Sequence, residues 1–175
     1  MKEHQDIPRA SKAMDFSEIL AFFPEIELPV TLSERDHHSF SINNKPLPGE
    51  VVESFFLPLE KMGTLDEFTE FIPCFAIPGT NEFGFQAIVY WKASLLHYTY
   101  YLATFTNQGV LIDKKPLAGI SSDADVIRQS VASIEPDWMI YVAQGVQKEN
   151  QPFIPEQSSG FQMELLADGR IVFPS

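Results

Sequence analysis

From Pro73 onward the chain is a succession of short runs rich in β-branched and aromatic residues, each closed by a turn signal. Almost every gap between these runs is too short for a crossover helix, and that constrains the fold more than any other feature. Parallel neighbours need connections of about a dozen residues or more, so runs this close must pair antiparallel, hairpin after hairpin. Strands are expected near 73–77, 84–92, 97–106, 109–115, 125–134, 138–146, 160–166 and 170–173. Asn107-Gln108-Gly109 reads as a three-residue hairpin loop with glycine where positive φ is needed, and Glu135-Pro136-Asp137 reads as a tight turn. Asp168-Gly169 has the composition of a type I′ turn. The likeness of LATFTNQGVLIDKK to ELLADGRIVF is shared hairpin chemistry, because four propeller blades of ~40 residues would not fit the strand region.

The strands do not alternate cleanly between apolar and polar. Phe83, Phe85, Val89 and Trp91 would share one face and Ile88 and Tyr90 the other. Likewise Trp138, Ile140 and Val142 oppose Met139, Tyr141 and Ala143. Strands with two apolar faces need cover on both. N-terminal amphipathic helices can supply one cover. The sheet curling on itself, a long loop or a second subunit would supply the other, which makes a homodimer or protein partner docked on the sheet an expectation.

Before the strands, Asp15 and Glu18 resemble a capping box, and Phe16, Ile19, Leu20 and Phe23 follow at helical spacing up to Pro24. Glu50 to Leu57 fits a second helix, with Val51, Val52, Phe55, Phe56 and Leu59 on one face, Pro48 at its start and Pro58 at its end. Thr64 and Glu67 suggest a third, short helix. The prolines, Ser33 to Ser41 and Asn43-Asn44 between Glu25 and Pro48 predict a long surface connection. The expected class is α+β, with short N-terminal helices on one face of a curved antiparallel meander of about seven to eight strands. Residues 1–14 are expected to be a flexible arm and 15–175 one domain, helical and loop-rich over 15–70 and a β-meander over 71–175.

The 24 acidic and 12 basic residues leave a net charge of −12, which disfavours phosphate backbones and anionic lipid surfaces, so neither nucleic acid nor membrane is an expected partner. Acidity is concentrated before Glu70. The first residues lack the apolar core of a secretory signal, and the single cysteine, Cys74, closes no intrachain disulfide, so the expected compartment is the cytoplasm.

No GxSxG, HExxH, P-loop, GxGxxG or CxxC pattern is present, and neither an enzyme activity nor a cofactor is called for. Asp36, His37 and His38, with Glu34 nearby, are weak metal candidates, since adjacent histidines diverge on either a strand or a helix. A solvated loop is the plainer reading. Cys74, His97 and Asp113 supply the residue types of a thiol triad, but a cysteine between Pro73 and Phe75 reads as buried core. Asp123 and Asp125 lack the rest of a calcium loop. Tyr90, Trp91, Tyr98, Tyr100 and Tyr101 crowd two neighbouring strands. Cross-strand packing explains such a cluster. Its functional reading is a binding surface or pocket wall, with Trp91, Tyr98, Tyr100 and His97 as candidate binding residues.

The blocks FIPCFAIP, AIVYWKASLLHYTYYLATFTNQGVLIDKKPLAG, SVASIEPDWMIYV and FQMELLADGRIVF resemble a family of small uncharacterised bacterial proteins over roughly residues 15–173. That resemblance implies a shared fold and no particular chemistry. Leu47-Pro48 followed by Glu50, Phe55 and Phe56 is also similar to the opening of the SMI1/KNR4 superfamily, whose bacterial members include toxin-neutralising immunity proteins. The departures are that no Trp precedes this Leu-Pro pair and that the later strand blocks do not follow that pattern. The expected function is a non-catalytic, acidic protein-interaction, immunity-like or regulatory module. The alternative is a small-molecule-binding domain or enzyme using a pocket on the concave sheet face.

Overall fold

The computed structural model describes residues 14–148 and 159–174. The expected arm over 1–14 therefore lies, Met14 aside, outside the described residues. Among the described residues nine strands form one antiparallel sheet: β1 (Val30–Leu32), β2 (Glu70–Ala76), β3 (Phe85–Ser94), β4 (His97–Thr106), β5 (Leu111–Asp123), β6 (Val126–Ile134), β7 (Met139–Lys148), β8 (Ser159–Leu165) and β9 (Ile171–Val172). β2 to β9 pair in chain order, the meander that the short connections demand, and β1 pairs with β6 outside that path. The class is α+β. Helices are few and short: α1 (Phe16–Leu20), α2 (Asp36–Asn43), and a run of α3 (Gly49–Val51), a π-helical segment (Val52–Phe56) and α4 (Leu57–Leu59). Among the described residues no helix is long and apolar enough to cross a membrane.

The period-2 alternation of β3 divides its side chains between two cores. Phe85, Ala87, Val89, Trp91 and Ala93 join an inner cluster, while Ile88 and Tyr90 join an outer one. The helical segments cover the outer face, setting Ile19, Phe23, Val51, Phe56 and Leu57 against Phe71, Ile88, Tyr90 and Phe105. The inner face is covered by the curl of the sheet, which brings Ile140, Val142, Met163, Leu165 and Ile171 into one cluster with Phe75 and Leu102. Leu32 of β1 and Phe40 of α2 add to it, so β3 gets both covers from its own chain. Strand β7 differs from expectation. Ile140 and Val142 are buried, but Tyr141 and Ala143 are exposed, so its outer face is wet.

Side chains latch the curl, because the sheet order ends at β9 without pairing back onto β2. The buried Thr104 hydroxyl donates to the Gly169 carbonyl at 2.6 Å and accepts from the Asp113 amide at 3.1 Å. One Asp113 carboxylate oxygen accepts from the Ile171 amide at 2.8 Å, and the other takes Lys115 Nζ at 3.1 Å.

Several local expectations are corrected. The segment between Glu25 and Pro48 is not a plain loop, since it holds β1 and α2. Ahead of this helix, Asp36 Oδ2 accepts from the Ser33 amide at 2.6 Å and its hydroxyl at 2.9 Å, closing a turn that leads into α2. Residues 64–68 form no helix, because the Asp66 carboxylate folds a turn by accepting from the Phe68 amide and Thr69 hydroxyl. Pro58 does not end the second helix. The preceding turn widens, so that the Leu57 amide reaches the Val52 carbonyl, and the helix continues through the proline. The β5 strand runs on to Asp123, past a bulge at Leu117, the extra residue between the Tyr101–Pro116 and Tyr100–Ala118 pairs. The Asp168-Gly169 turn is not type I′. It is a three-residue loop whose Leu166 amide bonds the Arg170 carbonyl and whose Gly169 (φ 89°) amide bonds the Leu166 carbonyl. The same pattern recurs at Gly109 and at Trp138, where a bulky side chain takes the left-handed position at φ 67°. Trp138 is braced edge-on against Phe83 and Phe85.

Candidate functional site

Strand alternation also splits the aromatic cluster. Tyr90 and Tyr101 stack at 5.5 Å under the helices. Trp91 and Tyr100, direct partners in the β3–β4 ladder, belong to the inner cluster, and Tyr98 stacks on Trp91 at 5.9 Å and 21°. Helix α2 then brings His37 onto Trp91, the rings parallel within 5° at 4.4 Å. Two anchors seat α2. Phe40 packs on Phe75 and Tyr100, and Asn44 Nδ2 donates to the Pro73 and Cys74 carbonyls at 2.7 and 2.9 Å.

These elements enclose a pocket of ≈ 670 Å³. The first turn of α2 and the residues before it supply Glu34, Arg35, His37 and His38; β3 supplies Trp91, β4 Tyr98 and Tyr100, and β5 Gly119 and Ile120. Tyr100 is fully buried and its hydroxyl donates to the Ser33 carbonyl at 2.9 Å. Burial pushes that hydroxyl well above the usual tyrosine range, and nearby Cys74 and Asp36 push it further. His37 Nδ1 faces the Glu34 carbonyl, so Nδ1 carries the proton and Nε2 is left as the ring's other polar atom. A smaller hollow of ≈ 270 Å³ lined by Arg128, Ser121 and Gln144 gathers no comparable aromatic wall.

Of the expected binding residues, Trp91, Tyr98 and Tyr100 meet in this pocket and His97 does not. His97 precedes Tyr98 on β4, so its side chain leaves from the opposite face, exposed beside the hairpin turn. Of the weak metal candidates, Asp36 is occupied by the Ser33 amide and hydroxyl, while His37 and His38 line the pocket. Among the described residues no three His, Cys, Asp or Glu side chains converge as a metal site.

The thiol-triad residues stay apart. Asp113 pairs with Thr104, seven positions along β4 from His97, which is roughly 23 Å at ~3.3 Å per residue. Cys74 is buried, and burial raises its thiol well above the ordinary value. Arg35, Glu34, Gly119 and Ile120 were not foreseen as pocket residues. The one signal for the first two was the Ser33-Asp36 spacing, whose side-chain bonds close the turn that holds them.

A second unforeseen feature lies under the helices. Glu60, just past α4, takes Lys92 Nζ at 3.1 Å, Lys114 Nζ at 2.9 Å and the Tyr90 hydroxyl, and Lys114 also sits 4.7 Å over the Tyr101 ring. Burial works to raise the Glu60 carboxyl, but the hydrogen bonds from Tyr90, Lys114 and Lys92 outweigh it and hold the group below its ordinary value. This cluster ties the helical layer to β3 and β5.

Comparison of the chain with protein-family models, curated proteins and solved structures returned no match in any of the three.

Proposed function

We propose that this protein is a small-molecule-binding domain whose site is the pocket between α2 and strands β3 to β5. One observation carries the reading: Trp91, Tyr98, Tyr100 and His37, drawn from three separate elements, line a single pocket of ≈ 670 Å³. That volume falls within the ~300–1,000 Å³ of ligand sites, and the mix of aromatic wall and a few convergent polar groups is what such sites use. The buried position of Trp91 and Tyr100 argues against a flat aromatic docking face.

A protein-interaction module, immunity-like or regulatory, is the second reading. The exposed Leu95 and Leu96 at the β3–β4 turn, next to exposed Tyr98, and the charge of −12 favour it, since an acidic binder is steered to a basic target. The cytoplasm is the compartment we propose for either role. Native mass spectrometry of protein purified untreated from its own host tests them. A reproducible added mass on the order of a few hundred daltons, lost in Tyr98→Ala, is the expected result. A co-purifying chain or a homodimer without that mass would replace the first reading with the second.

A further inference from the structure

We infer that the pocket takes a planar aromatic acid, its ring laid against Tyr98 and its carboxylate held by Arg35. This rests on the proposed binding role and gives it a ligand class. Tyr98 is 41% exposed although it stacks on Trp91, so it still offers aromatic surface to a flat ligand. Arg35 is exposed, lines the pocket and makes no ion pair with any described acid, so its guanidinium is open to a ligand. A guanidinium beside rings matches a carboxylate bidentately and tolerates stacking, which an ammonium does not. His37 walls the pocket without holding the carboxylate, since with Nδ1 donating to the Glu34 carbonyl its Nε2 is an acceptor.

A cationic ligand is disfavoured by the same geometry. Trp91, the best platform for a cation, is already covered by His37 at 4.4 Å, and Tyr100 has no exposed surface. The one acidic lining residue, Glu34, is balanced by Arg35, so the lining is formally neutral in a chain of net charge −12.

The test is calorimetric titration of the full chain with 2-naphthoate, 2-naphthalenemethanol, cyclohexanecarboxylate and phenyltrimethylammonium. Naphthoate should bind at least ~10-fold tighter than the neutral alcohol, because a charge-assisted hydrogen bond is worth that ratio or more. Arg35→Ala should erase this difference, and Tyr98→Ala should weaken naphthoate and the alcohol alike. Equal binding of naphthoate and the alcohol would overturn the acid preference while leaving an aromatic pocket. Tighter binding of cyclohexanecarboxylate would overturn the ring requirement, and tighter binding of the ammonium would overturn the charge assignment. Failure of all four probes to bind at millimolar concentration would overturn the binding role itself.

Discussion

At Gly119 a Cβ would lie 2.1 Å from the Tyr98 carbonyl oxygen, a backbone atom that cannot swing away. Gly119→Ala should therefore push β5 off β4 beneath the pocket and cost about 2 kcal/mol, measured by denaturant unfolding. Thr104→Val keeps the side-chain shape but leaves the Gly169 carbonyl without its donor at the latch, with an expected loss of about 1–3 kcal/mol. Trp91→Ala and Tyr98→Ala should part company. The first empties a site in the inner core and costs about 3–5 kcal/mol; the second, at a half-exposed position, should leave stability within about 1 kcal/mol of the parent. Trp91, Tyr98 and Tyr100 were legible as a group because period-2 alternation and a tight hairpin put them on one face of adjacent strands. His97 was misplaced by the same rule, being odd where they are even along β4. His37 was illegible as their partner, since nothing in local sequence says that a residue so distant in the chain will stack on Trp91.

Elements announced by turn chemistry were readable. β4 spans the residues expected of it, and the loops at Gly109, Pro136 and Gly169 stand where glycine and proline put them. Helix α2 was hidden because its sequence, DHHSFSIN, has one large aromatic residue and no apolar stripe; tertiary anchors at Phe40 and Asn44 hold it rather than amphipathicity. The expected Thr64–Glu67 helix lost to an Asp66 side chain that satisfies the backbone locally. Between the helical layer and the sheet, Glu60 is the main polar tie. Glu60→Gln leaves Lys92 and Lys114 without their acid and should destabilise by about 3 kcal/mol at neutral pH. Because the folded-state carboxyl is held below its unfolded value, its contribution is complete above the unfolded value and is lost as pH falls through the folded one. Thermal unfolding followed from pH 7 to pH 3 should show the parent losing stability on the acid side more steeply than Glu60→Gln.

Over the whole molecule, one sheet forms two cores because its central strands are apolar on both faces and its curl encloses one of them. The helices close the outer core, while α2 fills the inner one only partly and leaves the pocket at the Trp91 end. Trp138 sits at the opposite end of β3, against Phe85, six residues or roughly 20 Å from Trp91. The two indoles are thus independent reporters. The most direct measurement is the two-dimensional NMR spectrum of their indole N–H signals during titration with 2-naphthoate. A saturable shift of the Trp91 signal, with Trp138 unmoved, is the predicted result; a Trp91 signal that stays in place while the protein is titrated to millimolar ligand would contradict the account.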